Sequence, residues 1–280
     1  MKIIFYNVEH GSCTHIITPN NKHILVDVGS KTEKSISYYI KNIYFKYSND
    51  GIDDLIITHP HEDHIYDLPN LYTLLKPRIL HRPKEAFNID PTLQTPIHLA
   101  IANCANSMNA IYNGPIEIFA DPLRPENNGG VDIEIIPTIP SMASIDDLNT
   151  FSFIVIVKYG YYKFIITGDN PKSILSRMVA ENFYDIKNKI SNATVLLAPH
   201  HGRTTEYCNE FFKLVNPILT VVSDKSIVHN TQDETSTLYK GRGAELNGII
   251  RYVLTTRNDG TISFNLNSNS CIVNMSQEVY

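Results

Sequence analysis

In Asp54-Leu55-Ile56-Ile57-Thr58-His59-Pro60-His61-Glu62-Asp63-His64, an almost wholly apolar run passes without a break into a cluster of imidazoles and carboxylates. Successive apolar residues suit a strand covered on both faces, because neighbouring side chains point to opposite sides of a sheet. Such a strand belongs inside a layered structure, and the polar cluster then lies at its end. Three histidines and an aspartate within six residues can fold back so that their side chains face a common centre. Neutral imidazole nitrogens and carboxylate oxygens suit Zn2+, Mn2+ or Fe, and two such ions about 3.5–4 Å apart can share one hydroxide at neutral pH. The spacing therefore predicts a metal centre with hydrolytic chemistry. The plainer alternative is a solvated loop whose histidines cap the following helix.

Working outward, Ile3 to Val8, His15 to Thr18 and His23 to Val28 are short β-branched runs separated by Gly11-Ser12 and Pro19-Asn20-Asn21, the pattern of an antiparallel meander. Helical spacing of apolar residues follows over Ser35 to Tyr47, Tyr66 to Leu75 and Thr95 to Tyr112, with a strand expected over Arg78 to His81. The Pro-, Asn- and Gly-rich segment Asp121 to Gly130 reads as loop. A second set of strands is expected at Val131 to Ile136, Phe151 to Tyr159, Lys163 to Thr167, Thr194 to Ala198 and Ile218 to Ser223. Helices are expected between them at Pro171 to Phe183 and Glu206 to Leu214, and after them at Glu234 to Lys240. Ile249 to Thr255 and Thr261 to Leu266 are expected to pair as a hairpin across Asn258-Asp259-Gly260. No linker or internal repeat interrupts this pattern, so residues 1–280 read as a single domain.

Composition bounds the function. The 280 residues are 42% hydrophobic and 19% charged, enough for a large core, with a mean hydropathy of -0.16. No apolar run approaches the ~20 residues that cross a bilayer, so no membrane association is expected. The stretch Met1 to Tyr6 is too short for a signal-peptide core and reads as a strand. Cys13, Cys104, Cys208 and Cys271 lie far apart, consistent with free thiols and a cytoplasmic location. A net charge of -5 argues against coating nucleic acid by bulk charge, so any such contact needs a localized strip, for which Lys158, Lys163, Lys172, Arg177, Lys187 and Lys189 are candidates.

His-x-His-x-Asp-His after an apolar strand resembles the signature of the metallo-β-lactamase fold. Asp27-Val28-Gly29, Thr167-Gly168-Asp169 and Pro199-His200-His201-Gly202 resemble the family's later motifs in the same order. The resemblance implies a four-layer αββα sandwich, an α/β fold with two mixed sheets face to face and helices outside. It assigns His59 and His61 to a first metal, Asp63 and His64 to a second, Asp169 as the bridge, and His200 as a further ligand, with His201 as its alternative. The cofactor implied is a pair of divalent ions, Zn2+ or Mn2+. The family's remaining histidine is absent; Asp146-Asp147-Leu148-Asn149-Thr150 stands there, and Asn149 or Asp147 could supply an oxygen, or the first site could be weak or empty. Asp27 is expected to accept the N–H of a metal-bound histidine and so fix its tautomer; otherwise it is a turn residue. Asp169 could instead cap the helix ahead of Pro171.

More narrowly, Asn7-Val8-Glu9-His10-Gly11-Ser12, the Pro-His-His-Gly turn, His229 and Thr255-Thr256-Arg257-Asn258-Asp259-Gly260 resemble the soluble hydrolase domain of the ComEC/Rec2 competence proteins, a subgroup linked to DNA degradation. That resemblance implies a phosphodiesterase or nuclease acting through a metal-bridging hydroxide on nucleic acid or nucleotides. Catalytic roles fall to Asp63, His201 and His229, and substrate contact to His10 and Arg203, whose planar guanidinium suits a phosphate oxygen. Two other readings stay open: a hydrolase of a small ester, lactone or thioester, and a catalytically silent metal-binding subunit with a protein partner in a bacterial defence or toxin system. His15, His23, His81 and His98 read as structural.

Overall fold

The computed structural model describes residues 1–30, 34–92, 95–225 and 234–280. In chain order, β1 (Lys2–Phe5), β2 (Thr14–Ile17) and β3 (His23–Val26) form the expected meander, followed by α1 (Ile36–Tyr44), β4 (Asp54–Ile56), α2 (Glu62–Ile65), α3 (Leu68–Leu75), β5 (Ile79–His81) and α4 (Pro96–Ile111). Then come α5 (Pro125–Asn128), β6 (Asp132–Ile136), β7 (Ile154–Tyr159), β8 (Tyr162–Ile166), α6 (Lys172–Ala180), α7 (Ile186–Ile190), β9 (Val195–Leu197), α8 (Asn209–Val215) and β10 (Leu219–Val222). The chain closes with α9 (Thr235–Leu238), β11 (Ala244–Leu246), β12 (Ile249–Arg251), β13 (Val253–Thr255), α10 (Thr256–Asp259), β14 (Thr261–Leu266) and β15 (Cys271–Ser276).

One sheet runs β15-β14-β1-β2-β3-β4-β5 and the other β13-β10-β9-β8-β7-β6. Side-chain alternation explains how they stack. Ile3 and Phe5, Ile24 and Val26, and Ile56 join Val155, Phe164, Ile166, Val195 and Val221 of the opposite sheet in one buried cluster between the sheets. Their neighbours Ile4, Leu25, Leu55 and Ile57 point the other way, into a cluster with Ile36 and Ile40 of α1, Leu71 of α3 and Ile101 of α4. On the far side Ile165 and Leu196 meet Ile174 and Leu175 of α6, Ile186 of α7 and Phe211 of α8. The result is the expected αββα sandwich, and the continuous apolar runs are strands buried on both faces. Local signals start the helices: Ser35 Oγ accepts the N–H of Tyr38 at the head of α1, and Thr95 Oγ1 accepts that of His98 at the head of α4.

Two local expectations are corrected. The Asp121 to Gly130 loop contains the short α5, closed by Gly129 in the left-handed conformation. The expected hairpin across Asn258-Asp259-Gly260 does not form: β12 pairs with β11, β13 lies parallel to β10, and β14 crosses to the other sheet beside β1. The reason is the turn α10, where Asp259 accepts from Thr255 N–H at 2.8 Å and from the Arg251 guanidinium at 2.8 Å, so the chain coils between sheets instead of folding straight back.

Every strand that leads into a candidate ligand runs the same way. β3, β4 and β5 are mutually parallel, as are β8, β9, β10 and β13, so their C-terminal ends share one rim. Away from that rim, Tyr6, His15 and His23 form a buried chain, with His15 Nδ1 3.2 Å from the Tyr6 hydroxyl and His15 Nε2 3.0 Å from His23 Nδ1. Burial, then the neighbouring His23, holds His15 well below the usual imidazole range, and burial lowers His23 as well. The unfolded chain therefore binds more protons below about pH 6.5, and stability falls with falling pH by up to about 1.4 kcal/mol per pH unit per histidine until the folded groups titrate. Melting curves between pH 7 and 5 are expected to fall more steeply for the native chain than for His15→Gln; equal slopes overturn this account.

Candidate metal centre

The loop after β4 is held against the loops after β1 and β3 by main-chain contacts. Ser12 N–H donates to the Asp63 carbonyl at 3.0 Å, Val28 N–H to the His64 carbonyl at 2.8 Å, and Gly29 N–H to the Ser12 carbonyl at 2.8 Å. A Cβ on Gly29 would sit 1.6 Å from the Asp63 carbonyl oxygen, so only glycine permits this approach. Gly168, with φ +54°, packs against Thr58, where a Cβ would come within 2.9 Å, and delivers Asp169 to the same rim.

Buried Asp27 organizes the interior side of the cluster. It accepts from Thr58 N–H at 2.8 Å and from the Thr58 hydroxyl at 2.9 Å, while His64 Nδ1 donates to it at 2.7 Å. That bond places the His64 proton on Nδ1 and turns Nε2 outward, 3.1 Å from Asp169 Oδ1 but not aligned for a hydrogen bond. This is the geometric position expected of a residue that orients a metal-binding histidine.

Asp63, His64, Asp169 and His201 each present a ligand atom, and the four lie within 4.8 Å of one another. His201 Nε2 is 3.1 Å from Asp63 Oδ2 and 3.6 Å from Asp169 Oδ2, while its Nδ1 donates to the Ser223 carbonyl at 2.7 Å. Ligands held at 2.0–2.1 Å around one tetrahedral ion stand about 3.3 Å apart, so this donor set fits a divalent cation. Beside it, His59 Nε2 lies 3.1 Å from His61 Nδ1, the same ligand-to-ligand spacing. Asn149 carries a buried carbonyl oxygen with no hydrogen-bond partner among the described residues, an acceptor of the kind a cation satisfies. Asp147 accepts from Asn149 N–H at 3.2 Å and is committed to that turn.

The structure places His201, rather than His200, in the four-donor group. His200 Nε2 stands 3.8 Å from Asp169 Oδ2, outside it, and its buried Nδ1 has no hydrogen-bond partner among the described residues. Both histidines adopt positive φ, 49° and 53°, strain of a kind that persists where surroundings demand it.

The electrostatics are those of a charge-dense, largely buried centre. Burial alone would raise Asp63, yet the hydrogen bond from His201 and the charges of His64 and His201 hold it below the usual carboxylate range. Burial likewise opposes ionization of Asp169, but His64 and His201 drive it well below that range. His201 reaches about 8, because Asp169 and Asp63 outweigh the burial that would lower it. Without a metal, these imidazoles act as the counterions of the carboxylates. His59 is held well below its ordinary value by burial, then by the charge of neighbouring His64.

Of the remaining sequence candidates, His10 reaches the site. Its Nε2 lies 3.4 Å from Asp63 Oδ2, its Nδ1 3.3 Å from Asp224 Oδ1, and its ring centroid 4.6 Å from that of His201. Arg203 follows the histidine turn and makes no ion pair among the described residues. His229 lies outside the described residues. Three residues to which the sequence reading gave no site role also approach the rim. Asp224, just past β10, anchors His10, and Arg257 Nη1 approaches Asp224 Oδ2 at 4.0 Å. His98, read as structural, bonds Glu62 of the metal loop at 2.5 Å. A signal for Asp224 existed, since it follows a buried strand as Asp27 and Asp169 do.

Comparison with known proteins comes to the same fold. Residues 7–217 match the family model described as the metallo-beta-lactamase superfamily. The metallo-beta-lactamase fold protein YhfI from Bacillus subtilis is 14% identical, with a TM-score of 0.51 over 94% of this chain and 99% of that one. CmlA, a diiron beta-hydroxylase from Streptomyces venezuelae, is 13% identical with a TM-score of 0.42, over 79% of this chain and 44% of that one. No curated protein matches the chain significantly. No helix among the described residues is long and apolar enough to cross a membrane.

Proposed function

The chain belongs to the metallo-beta-lactamase superfamily and is a metal-dependent hydrolase of that fold, and from this premise we propose that it cleaves phosphodiesters in nucleic acid or nucleotides. The observation that carries the reading is the group of Asp63, His64, Asp169 and His201, whose ligand atoms lie within 4.8 Å of one another, with the His59–His61 pair beside it, the His59 ring centroid 4.2 Å from that of His64. A phosphodiester offers two non-bridging oxygens to two neighbouring cations, and the ComEC/Rec2-like motifs around His10 and Arg257 point to the same substrate. We assign His59, His61 and Asn149 to one ion, Asp63, His64 and His201 to the other, and Asp169 to both.

Bound divalent ions supply a water made acidic enough to attack at neutral pH and a positive charge facing the electrophile, with Mn2+ favoured over Zn2+ where an amide oxygen is a ligand. The protein does the rest. Asp27 holds the His64 proton on Nδ1, so that Nε2 stays available. Asp224 turns His10 so that its Nε2 faces the mouth of the centre, where it can give a proton to a leaving oxygen. We assign Arg203, which follows the histidine turn, to a phosphate oxygen, and burial of His64, Asp169 and His201 limits the screening of these charges by bulk water.

Protein stripped with a chelator and reloaded with Mn2+ or Zn2+ is expected to take up two ions per chain and to hydrolyse bis(p-nitrophenyl) phosphate at least ~100-fold faster than the stripped form. Faster turnover of p-nitrophenyl acetate or a lactone than of the diester would replace this reading with the small-molecule hydrolase, and binding of two ions without any turnover would replace it with a silent subunit.

A further inference from the structure

A second feature lies beside the metal rim. Strand β5 is the last strand of its sheet, and a cleft of about 1040 Å³ runs along it, walled on the far side by residues next to β6 and β7 of the other sheet. Its lining carries four permanent cations, Lys76, Arg78, Arg82 and Lys84, against one carboxylate, Glu117. On a chain of net charge -5 this is a strong local reversal of sign.

The cations are not consumed by neighbouring acids. Arg82, 7% exposed, is fixed by Asn109 and Asn113, with Nε donating to Asn109 Oδ1 at 2.9 Å and Nη2 to Asn113 Oδ1 at 3.2 Å; every recorded acceptor is neutral. Arg78 reaches Asp53 at 3.2 Å, but Asp53 already takes Lys22 at 3.0 Å. Lys76 lies over the Tyr72 ring and Lys84 is exposed. His81, also in the lining, is neutralized internally by the buried Asp54, 3.1 Å away. The strip considered from sequence differs: Lys158 pairs with Asp132, Arg177 with Glu181 and Lys189 with Glu134, and Lys163 donates to the Ser191 carbonyl, which leaves Lys172 and Lys187.

The cleft also leads to the metal loop. Phe153, part of its wall, donates its N–H to the carbonyl of Thr58 at 3.1 Å, and Thr58 directly precedes His59. Ile57 N–H donates to the His81 carbonyl at 2.8 Å, so β5 and the metal-bearing segment are adjacent strands. The cations span both ends of β5, Lys76 and Arg78 before it and Arg82 and Lys84 after it, at the end that reaches the rim. Phe153, Tyr112 and the part-exposed Ile116 add flat and apolar surface between them.

We infer that this cleft is the docking track for a single nucleic-acid strand, its backbone phosphates on Lys76, Arg78, Arg82 and Lys84 and its bases against Phe153 and Tyr112, which leads the strand to the metal centre. An acidic peptide would use the charges but not the aromatic faces, whereas alternating anionic and flat groups are what a strand presents. The inference rests on the phosphodiesterase reading, and its test separates the two.

Anisotropy of a fluorescein-labelled 12-nucleotide single-stranded DNA on the Mn2+-loaded protein reads the track, and bis(p-nitrophenyl) phosphate, too small to need it, reads the centre. Two lysine–phosphate contacts on a single strand contribute about 1.4 to the log–log salt slope and about 25-fold in affinity at 0.1 M salt. The double variant Lys76→Ala/Lys84→Ala is expected to lose both while hydrolysing the small diester normally; Lys172→Ala/Lys187→Ala is expected to bind as the native chain does. The track is overturned if the native chain does not bind the oligonucleotide, if Lys76→Ala/Lys84→Ala binds unchanged, or if poly-glutamate competes as well as unlabelled DNA. Loss of strand binding in Lys76→Ala/Lys84→Ala without diester turnover in the native protein sinks the hydrolytic assignment and leaves the track standing.

Discussion

Asp63→Ala is expected to lower phosphodiester turnover by at least ~1,000-fold while leaving the fold nearly as stable as before. Asp63 is where two roles meet in one residue. Its side chain faces His201 at 3.1 Å and His10 at 3.4 Å and belongs to the four-donor group. Its main-chain carbonyl receives Ser12 N–H and packs against Gly11 and Gly29, and alanine retains that carbonyl. Removing the carboxylate takes away one ligand and one of the two negative charges, after that of Asp169, that hold His201 up near 8, so the metal site loses affinity without losing its frame. Metal content measured by inductively coupled plasma mass spectrometry should fall below two ions per chain, with a melting temperature within a few degrees of the native value. Asp63→Asn, which keeps the shape and removes the charge, should be almost as inactive. Undiminished turnover in either purified variant removes Asp63 from the machinery.

Gly29→Ala is the second large effect, and here the fold and the site fail together. The added methyl would stand 1.6 Å from the Asp63 carbonyl oxygen and 3.0 Å from Ser12 nitrogen, both main-chain atoms that cannot swing away as a side chain would. Either the loop carrying His61, Asp63 and His64 withdraws from the loops after β1 and β3, or those loops separate. Forcing atoms into a packed interior costs about 1–3 kcal/mol and sometimes more, and for a chain of this size each kcal/mol lowers the melting temperature by roughly 2–4 °C. A fall of about 10 °C with weakened metal binding is expected. Gly114→Ala is the control, because nothing lies within 4 Å of the position its Cβ would take. Equal melting temperatures for the two variants would show that the close approach carries no energy.

The signals that could be read along the chain were those a residue carries locally. Apolar runs at Leu55 to Ile57 and Val195 to Leu197 reported burial on both faces, and the structure places them between two covering layers. Asp27 and Asp169 stood out because the motifs around them resemble those of the family; Asp224, which also follows a buried strand, lies in no such motif. The failed hairpin at Asn258-Asp259-Gly260 shows the limit of this kind of reading. The turn residues are right for a hairpin, but Arg251 and Thr255 both bind Asp259, and those side-chain contacts coil the chain and turn the strand toward the other sheet.

By itself the sequence determined the chemistry of the ligands, the two-sided burial of the strands that bear them and the expectation that they collect at strand ends, since all three follow from residue type and short spacing. Which ligands share a centre was decided only by the tertiary structure. His201 closes the group on Asp63 across 138 residues and His200 does not, because the choice depends on backbone torsions in a turn braced by Ser223 and Gly202, as the basic cleft depends on two sheet edges brought side by side. Periodicity records which face of its own element a residue occupies; it carries no information about what another element brings to meet it.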